Sequence, residues 1–167
     1  DSPEAVLNAT YEELTDVPKI GHRIAAAIKS TDLAQVKHHV LRWEKNGMHI
    51  LRAVDDDYPE LLRHAGDGPP VLFAQGSLDG ASSRKAQTVA VVGSRKPSPQ
   101  SRVYAQRLAG ALASRGWIIV SGLARGIDGA VHRGALAVGG KTIAVLGSGV
   151  NIAYPPEHAA LAEEVTA

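Results

Sequence analysis

The sequence predicts an α/β fold: an open parallel sheet, incomplete in this chain, preceded by a small helical domain. Three observations carry this. Three short apolar runs, at 88–92, 117–120 and 142–146, each lead directly into a glycine-containing loop. Stretches of helical length separate the runs, giving the strand–loop–helix rhythm of right-handed crossover units. The chain ahead of Gly47 has a different texture, with Ala-rich and amphipathic stretches and no strand pattern. We therefore expect a helical domain over 1–46, a β-containing lead-in over 47–80, and the first part of the parallel-sheet domain over 81–167.

The elements follow in order. Residues 4–14 read as helical, with Ala5, Leu7 and Leu14 on a moderate apolar pattern. Pro18 and Gly21 then mark a turn, and the Ala-rich run 22–28 a helix. This turn resembles a helix–hairpin–helix unit of the kind whose amides can face a DNA phosphate, although Lys19 stands where that pattern has a glycine. The alternative is a purely structural helical domain. Residues 32–46 predict a helix with Leu33, Val36, Val40 and Trp43 at three-to-four spacing, and Gly47 as its stop. A short strand follows from Met48 to Ala53, then a turn and short helix over 55–62. A strand leaves the Pro69-Pro70 turn and ends at Gly76. The small, polar residues 79–87 read as a linker. The helix after the first parallel strand starts at Ser98 or Pro99 and ends near Arg115, with Tyr104, Leu108, Ala111 and Leu112 on one face. The next runs from about Ile127 to Val138, and Tyr154-Pro155 opens a last one.

The formal net charge of +1 conceals a strong asymmetry. Residues 1–80 are net −5. Residues 81–150 hold ten Lys and Arg against one acid, Asp128, and are net +9. A polyanionic partner is one explanation; a solvated helix surface is the other. The sequence lacks cysteine, which excludes disulfides, thiolate zinc sites and cysteine nucleophiles. No apolar run approaches the roughly 20 residues that span a bilayer, and a cytoplasmic location fits. The chain starts without Met or a signal-peptide pattern, so its first residue is not expected to be the natural one.

Ligands of an open parallel sheet bind beyond the carboxyl ends of its strands. Gly93-Ser94-Arg95, Ser121-Gly122-Leu123-Ala124-Arg125-Gly126 and Gly147-Ser148-Gly149 should therefore line one crevice. Glycines admit close backbone approach, and amides at helix starts favour phosphates. Arg95 and Arg125 can each give a bidentate bond to phosphate, with Arg95 the stronger candidate. Tyr154 can reach a base or sugar, or pack against the sheet edge. The crevice carries no dinucleotide fingerprint and no Walker loop; Gly140-Lys141-Thr142 precedes its strand and lies at the wrong edge. No cofactor is implied. No metal is either: Asp55-Asp56-Asp57 lacks the alternation of a calcium loop, and His38-His39 diverge on a helix. Asp128 and His132, four apart, fit structural bonding better than an acid–base pair, because no nucleophile accompanies them. Aromatics at 4% argue against an extended stacking groove.

The runs 89–95 and 120–128, then His132, 139–147 and Tyr154-Pro155, together resemble the signature of the DNA-processing protein A family (DprA, also called Smf). Tyr58-Pro-Glu-Leu-Leu62 and Pro69-Pro-Val-Leu-Phe73 with Gly76 add to it, so the similarity covers roughly 47–158. The resemblance implies an extended Rossmann-like domain behind a small helical domain of SAM or helix–hairpin–helix type. It implies binding and protection of incoming single-stranded DNA, and loading of the RecA recombinase in natural transformation, without catalysis. It also implies single-strand-binding protein as a further partner, and a homodimer formed through a part of the family that this chain does not include. Gly93, Ser94 and Arg95 would be DNA contacts, with Gly122, Arg125 and the Gly147 loop lining the same pocket. Two departures weaken one edge of it: Asn151 replaces a frequent Asp, and Pro156 a frequent basic residue. The competing reading is a nucleotide-binding or nucleoside-monophosphate-hydrolysing enzyme. It is disfavoured because no acid follows Gly147 before Glu157.

Overall fold

The computed structural model describes residues 2–77 and 86–167. It divides into two compact units, Asp1–Asn46 and Gly47–Ala167. Most of the linker expected over 79–87 lies outside the described residues.

The first unit holds α1 (Pro3–Asn8), α2 (Tyr11–Thr15), α3 (His22–Lys29) and α4 (Leu33–Lys45). The helical stretch read over 4–14 is in fact two helices. The reason is a capping box at Thr10: its hydroxyl accepts the Glu13 amide at 3.2 Å, and the Glu13 carboxylate accepts the Thr10 amide at 2.7 Å. The Lys29 ammonium closes α3 back on α1 by donating to the Leu7 and Ala9 carbonyls. Leu14 and Ala25 are the buried residues. Lys19 sits at φ 74°, the left-handed conformation in which the hairpin pattern places glycine. In α4, capped by Asp32, Leu33 and Val36 remain exposed.

The second unit contains two sheets. Strands β1 (Met48–Arg52) and β2 (Val71–Gln75) pair antiparallel, with Ile50 opposite Phe73. The connection between them carries α5 (Glu60–Arg63) and the buried Tyr58, whose hydroxyl donates to the Pro69 carbonyl at 2.7 Å. Asp55 is consumed locally: it pairs with the Arg52 guanidinium at 2.6 Å and accepts the Arg52 amide.

The other sheet is parallel, in the order β3 (Thr88–Ala90), β4 (Ile118–Ser121), β5 (Thr142–Ala144). Register places Ala90 beside Val120 and Ser121 beside Ala144. Helices α6 (Pro99–Ala113) and α7 (Ile127–Leu136) connect the strands and pack on each other and on one face of the sheet. Ser98 caps α6 through the Ser101 amide. A 3-10 turn (Pro156–His158) and α8 (Ala159–Thr166) follow β5, and α8 lies against α7 and β5.

The buried face of α6 is not the predicted one. Tyr104 is 70% exposed and Leu108 39%, Ala111 is exposed, and Leu112 is only partly covered. The core is instead built on Ala105, Ala109 and Ala113, packed with Ile119, Val131 and Ala135. The reason is the closeness of α6 and α7. A Cβ on Gly134 would lie 2.1 Å from the Gln106 carbonyl oxygen, and one on Gly110 would lie 3.0 Å from the Gly134 carbonyl oxygen. Backbones that approach this closely admit only Ala and Gly between them, so the large side chains turn outward. Val89 and Val91 pack into the same core. Alternation along the strand then turns Val92 to the opposite face, where it is exposed.

Candidate nucleic-acid interface

The three glycine loops follow β3, β4 and β5, and a parallel sheet brings all three to one edge. The first two are in direct contact. The Ser94 carbonyl accepts the Ile127 amide at 3.1 Å, which ties the β3 loop to the start of α7. Gly126 makes this possible. It has φ 84°, and a Cβ there would lie 2.2 Å from the Ser94 carbonyl oxygen, so an L side chain has neither the conformation nor the room. Within the β3 loop, the Ser94 hydroxyl accepts the Lys96 amide at 3.0 Å and fixes the bend at Arg95. The Arg95 side chain is exposed and, among the described residues, has no hydrogen-bond or ion-pair partner.

The β4 loop is anchored from behind. The Ser121 side chain is buried and donates to the Val91 carbonyl at 2.7 Å. Asp128 accepts the Gly122 amide at 3.2 Å and so braces the loop from α7. Leu123 is fully buried at φ 58°, a conformation costing an L residue about 1–2 kcal/mol. Its carbonyl accepts the Nδ1 proton of the buried His158 at 2.9 Å. Ser121 and Leu123 thus serve the loop's shape, while Gly122, Ala124 and Gly126 are partly exposed and Arg125 is exposed.

Arg125 is already occupied. Its guanidinium grips Glu157 with Nε on Oε1 and with Nη2 on Oε2 at 3.0 Å. This holds the Glu157 carboxyl at about 2 and raises the guanidinium above its usual value. The Tyr154 side chain is 54% exposed. The sequence reading missed Glu157, whose partner is distant in sequence and which stands just beyond the third loop. In that loop Gly147, Ser148 and Gly149 are exposed, and a Cβ on Gly147 would meet nothing within 4 Å.

Asp128 and His132 do not bond each other. The Thr142 hydroxyl donates to the Ile119 carbonyl at 2.8 Å, so it must accept the His132 Nδ1 proton at 2.7 Å. Nε2 is left as a buried lone pair without a partner. Burial drives the His132 ring down to about 4, so it is neutral near pH 7. Among the described residues no cluster of three or more His, Cys, Asp or Glu is arranged to hold a metal ion. No described helix is long and apolar enough to cross a membrane.

A family model described as DNA recombination-mediator protein A matches residues 49–167. The chain belongs to this family. The Smf protein of Synechocystis is 42% identical over 125 residues, covering 74% of this chain and 31% of that protein. DprA of Streptococcus pneumoniae is 43% identical over 112 residues, covering 67% of this chain and 38% of that protein. The chain therefore spans about a third of the length of the curated DprA and Smf relatives it matches. The X-ray structure of S. pneumoniae DprA superposes with a TM-score of 0.66 at 30% identity, over 98% of this chain and 62% of that one. A DprA structure from Helicobacter pylori, solved to define that protein's single-stranded DNA binding mode, matches with a TM-score of 0.59 at 26% identity, over 71% of this chain and 51% of that one.

Proposed function

We propose that this chain carries the phosphate-gripping edge of a single-stranded DNA-binding recombination mediator. The observation that carries the reading is the exposed Arg95, without a partner among the described residues, on a loop braced by Ser94 and Gly126, at a sheet edge shared with two further glycine loops. A guanidinium held out by rigid backbone is suited to bidentate phosphate contact. Loop backbone exposed at Gly93, Gly147, Ser148 and Gly149, and partly so at Gly122 and Gly126, gives the strand a close approach, and Tyr154 offers a ring to a base or sugar. Ser121, Leu123 and Ala124 hold the second loop in place.

The wider role is DNA processing without catalysis: protecting incoming DNA and delivering it to RecA in the cytoplasm during transformation. Single-strand-binding protein and a second copy of the chain are further partners. The engagement of Asp128 by the Gly122 amide and of His132 by Thr142 supports this over nucleotide hydrolysis, because both groups serve the fold.

The test is equilibrium binding of a fluorescent oligothymidylate across a salt series, with Arg95→Ala beside the wild type. Wild-type affinity falls with salt. Arg95→Ala weakens binding about tenfold, and the slope of log K against log salt becomes shallower by about 0.7, the value for one single-strand phosphate contact. A folded protein that shows no binding at low salt refutes the reading.

A further inference from the structure

We infer that Glu157 sets the affinity of the crevice by holding Arg125 as a reserve phosphate contact, in an ion pair that an incoming phosphate exchanges for itself. The inference rests on the single-stranded DNA reading above.

The position comes first. Arg125 directly precedes Gly126, whose backbone touches Ser94 and Arg95, so the two arginines belong to one pair of packed loops. Asp128 is buried beneath that loop pair and committed to the Gly122 amide. Glu157 is the next acid along the chain, and it reaches the β4 loop through Arg125 itself.

The pair is built to exchange. Its side chains are 54% and 50% exposed, so burial does not lock them together. An exposed ion pair contributes little to stability, because water screens it. A guanidinium fork accepts phosphate with the same two-bond geometry it uses for carboxylate. The fork is therefore already shaped for an anion, and the carboxylate is a weak, intramolecular substitute for one. Protons do not open the pair near neutrality, since Glu157 ionises at about 2. A competing anion does.

The cost of exchange is a freed carboxylate beside the bound phosphate. Glu157 thus lowers affinity twice, by occupying Arg125 and then by repelling the ligand.

A double-mutant cycle with the full chain and the same oligothymidylate separates these effects. Glu157→Gln is expected to bind about two- to fivefold more tightly than wild type. In an Arg125→Ala background only the charge repulsion remains, and the same substitution is expected to tighten binding less than it does in the wild-type background. Equal tightening in both backgrounds would mean that Glu157 acts only through its charge, and the exchange is overturned. Unchanged or weaker binding by Glu157→Gln in the wild-type background overturns it as well. Arg95→Ala run alongside keeps the two claims apart. If wild-type binding is lost with Arg95 but indifferent to Glu157, only this inference fails. If neither wild type nor Glu157→Gln binds at low salt, the DNA reading fails and takes the inference with it. Both substituted side chains are half exposed, so the fold tolerates the changes; an unchanged urea midpoint confirms it.

Discussion

His132 shows how a residue's chemistry is decided by its surroundings. In the sequence it pairs plausibly with Asp128, one helical turn away. In the fold it gives its Nδ1 proton to Thr142 and buries an unpartnered Nε2. A charged ring is excluded there, and its ionisation falls to about 4 against an ordinary 6.5. Below pH 6.5 the unfolded chain therefore takes up a proton that the folded chain refuses. Stability is fully present above pH 6.5 and is lost as pH falls toward 4, by about 3 kcal/mol over that window. Urea midpoints between pH 7 and 4 should show this, and His132→Asn, which retains a donor toward Thr142, should flatten the slope. A variant with the wild-type slope would assign the loss to other groups. Arg125 carries the same lesson: its candidacy was readable from its loop, but its engagement with Glu157 was not, because no local pattern joins residues 32 apart.

Among the elements, the strands and their glycine loops were legible because strand and loop announce themselves locally. An apolar run ends, a glycine follows, and β3, β4 and β5 lie where those runs lie. The orientation of α6 was not legible. Apolar size pointed to Tyr104 and Leu108, whereas helix spacing selected Ala105, Ala109 and Ala113. Size patterns report burial only where room exists for large side chains, and α6 against α7 leaves none. Gly134→Ala tests this. In an ordinary helix the change would stabilise by about 1 kcal/mol. Here the added methyl meets the Gln106 carbonyl at 2.1 Å, and we expect a net loss of about 2 kcal/mol in urea unfolding. The break between α1 and α2 was legible in principle, since Thr10-x-x-Glu13 is a recognisable capping signature; apolar spacing alone overran it.

For the molecule as a whole, charge and structure agree in direction. The basic segment 81–150 contains β3, β4 and β5 and all three loops, and its one acid faces inward. The α/β class followed from rhythm alone, and the parallel order β3-β4-β5 accords with it. The opposite face of this sheet bears exposed Val92 and Val145, whereas parallel sheets are ordinarily covered on both faces. That coverage is a property of the complete assembly of elements, and no single stretch of sequence reports it.

The contact of Gly134 with the Gln106 carbonyl also has a consequence in time. Two helices whose backbones meet at Gly110 and Gly134, with small side chains packed around the contact, cannot loosen separately, because opening either one exposes the shared seam. The amides of Ala105–Ala113 and Val131–Leu136 should therefore exchange with deuterium at one common rate and respond together to added denaturant. Measured amide by amide, two distinct rates would mean that the seam yields, and that the edge bearing Arg95 and Arg125 rests on parts that move independently.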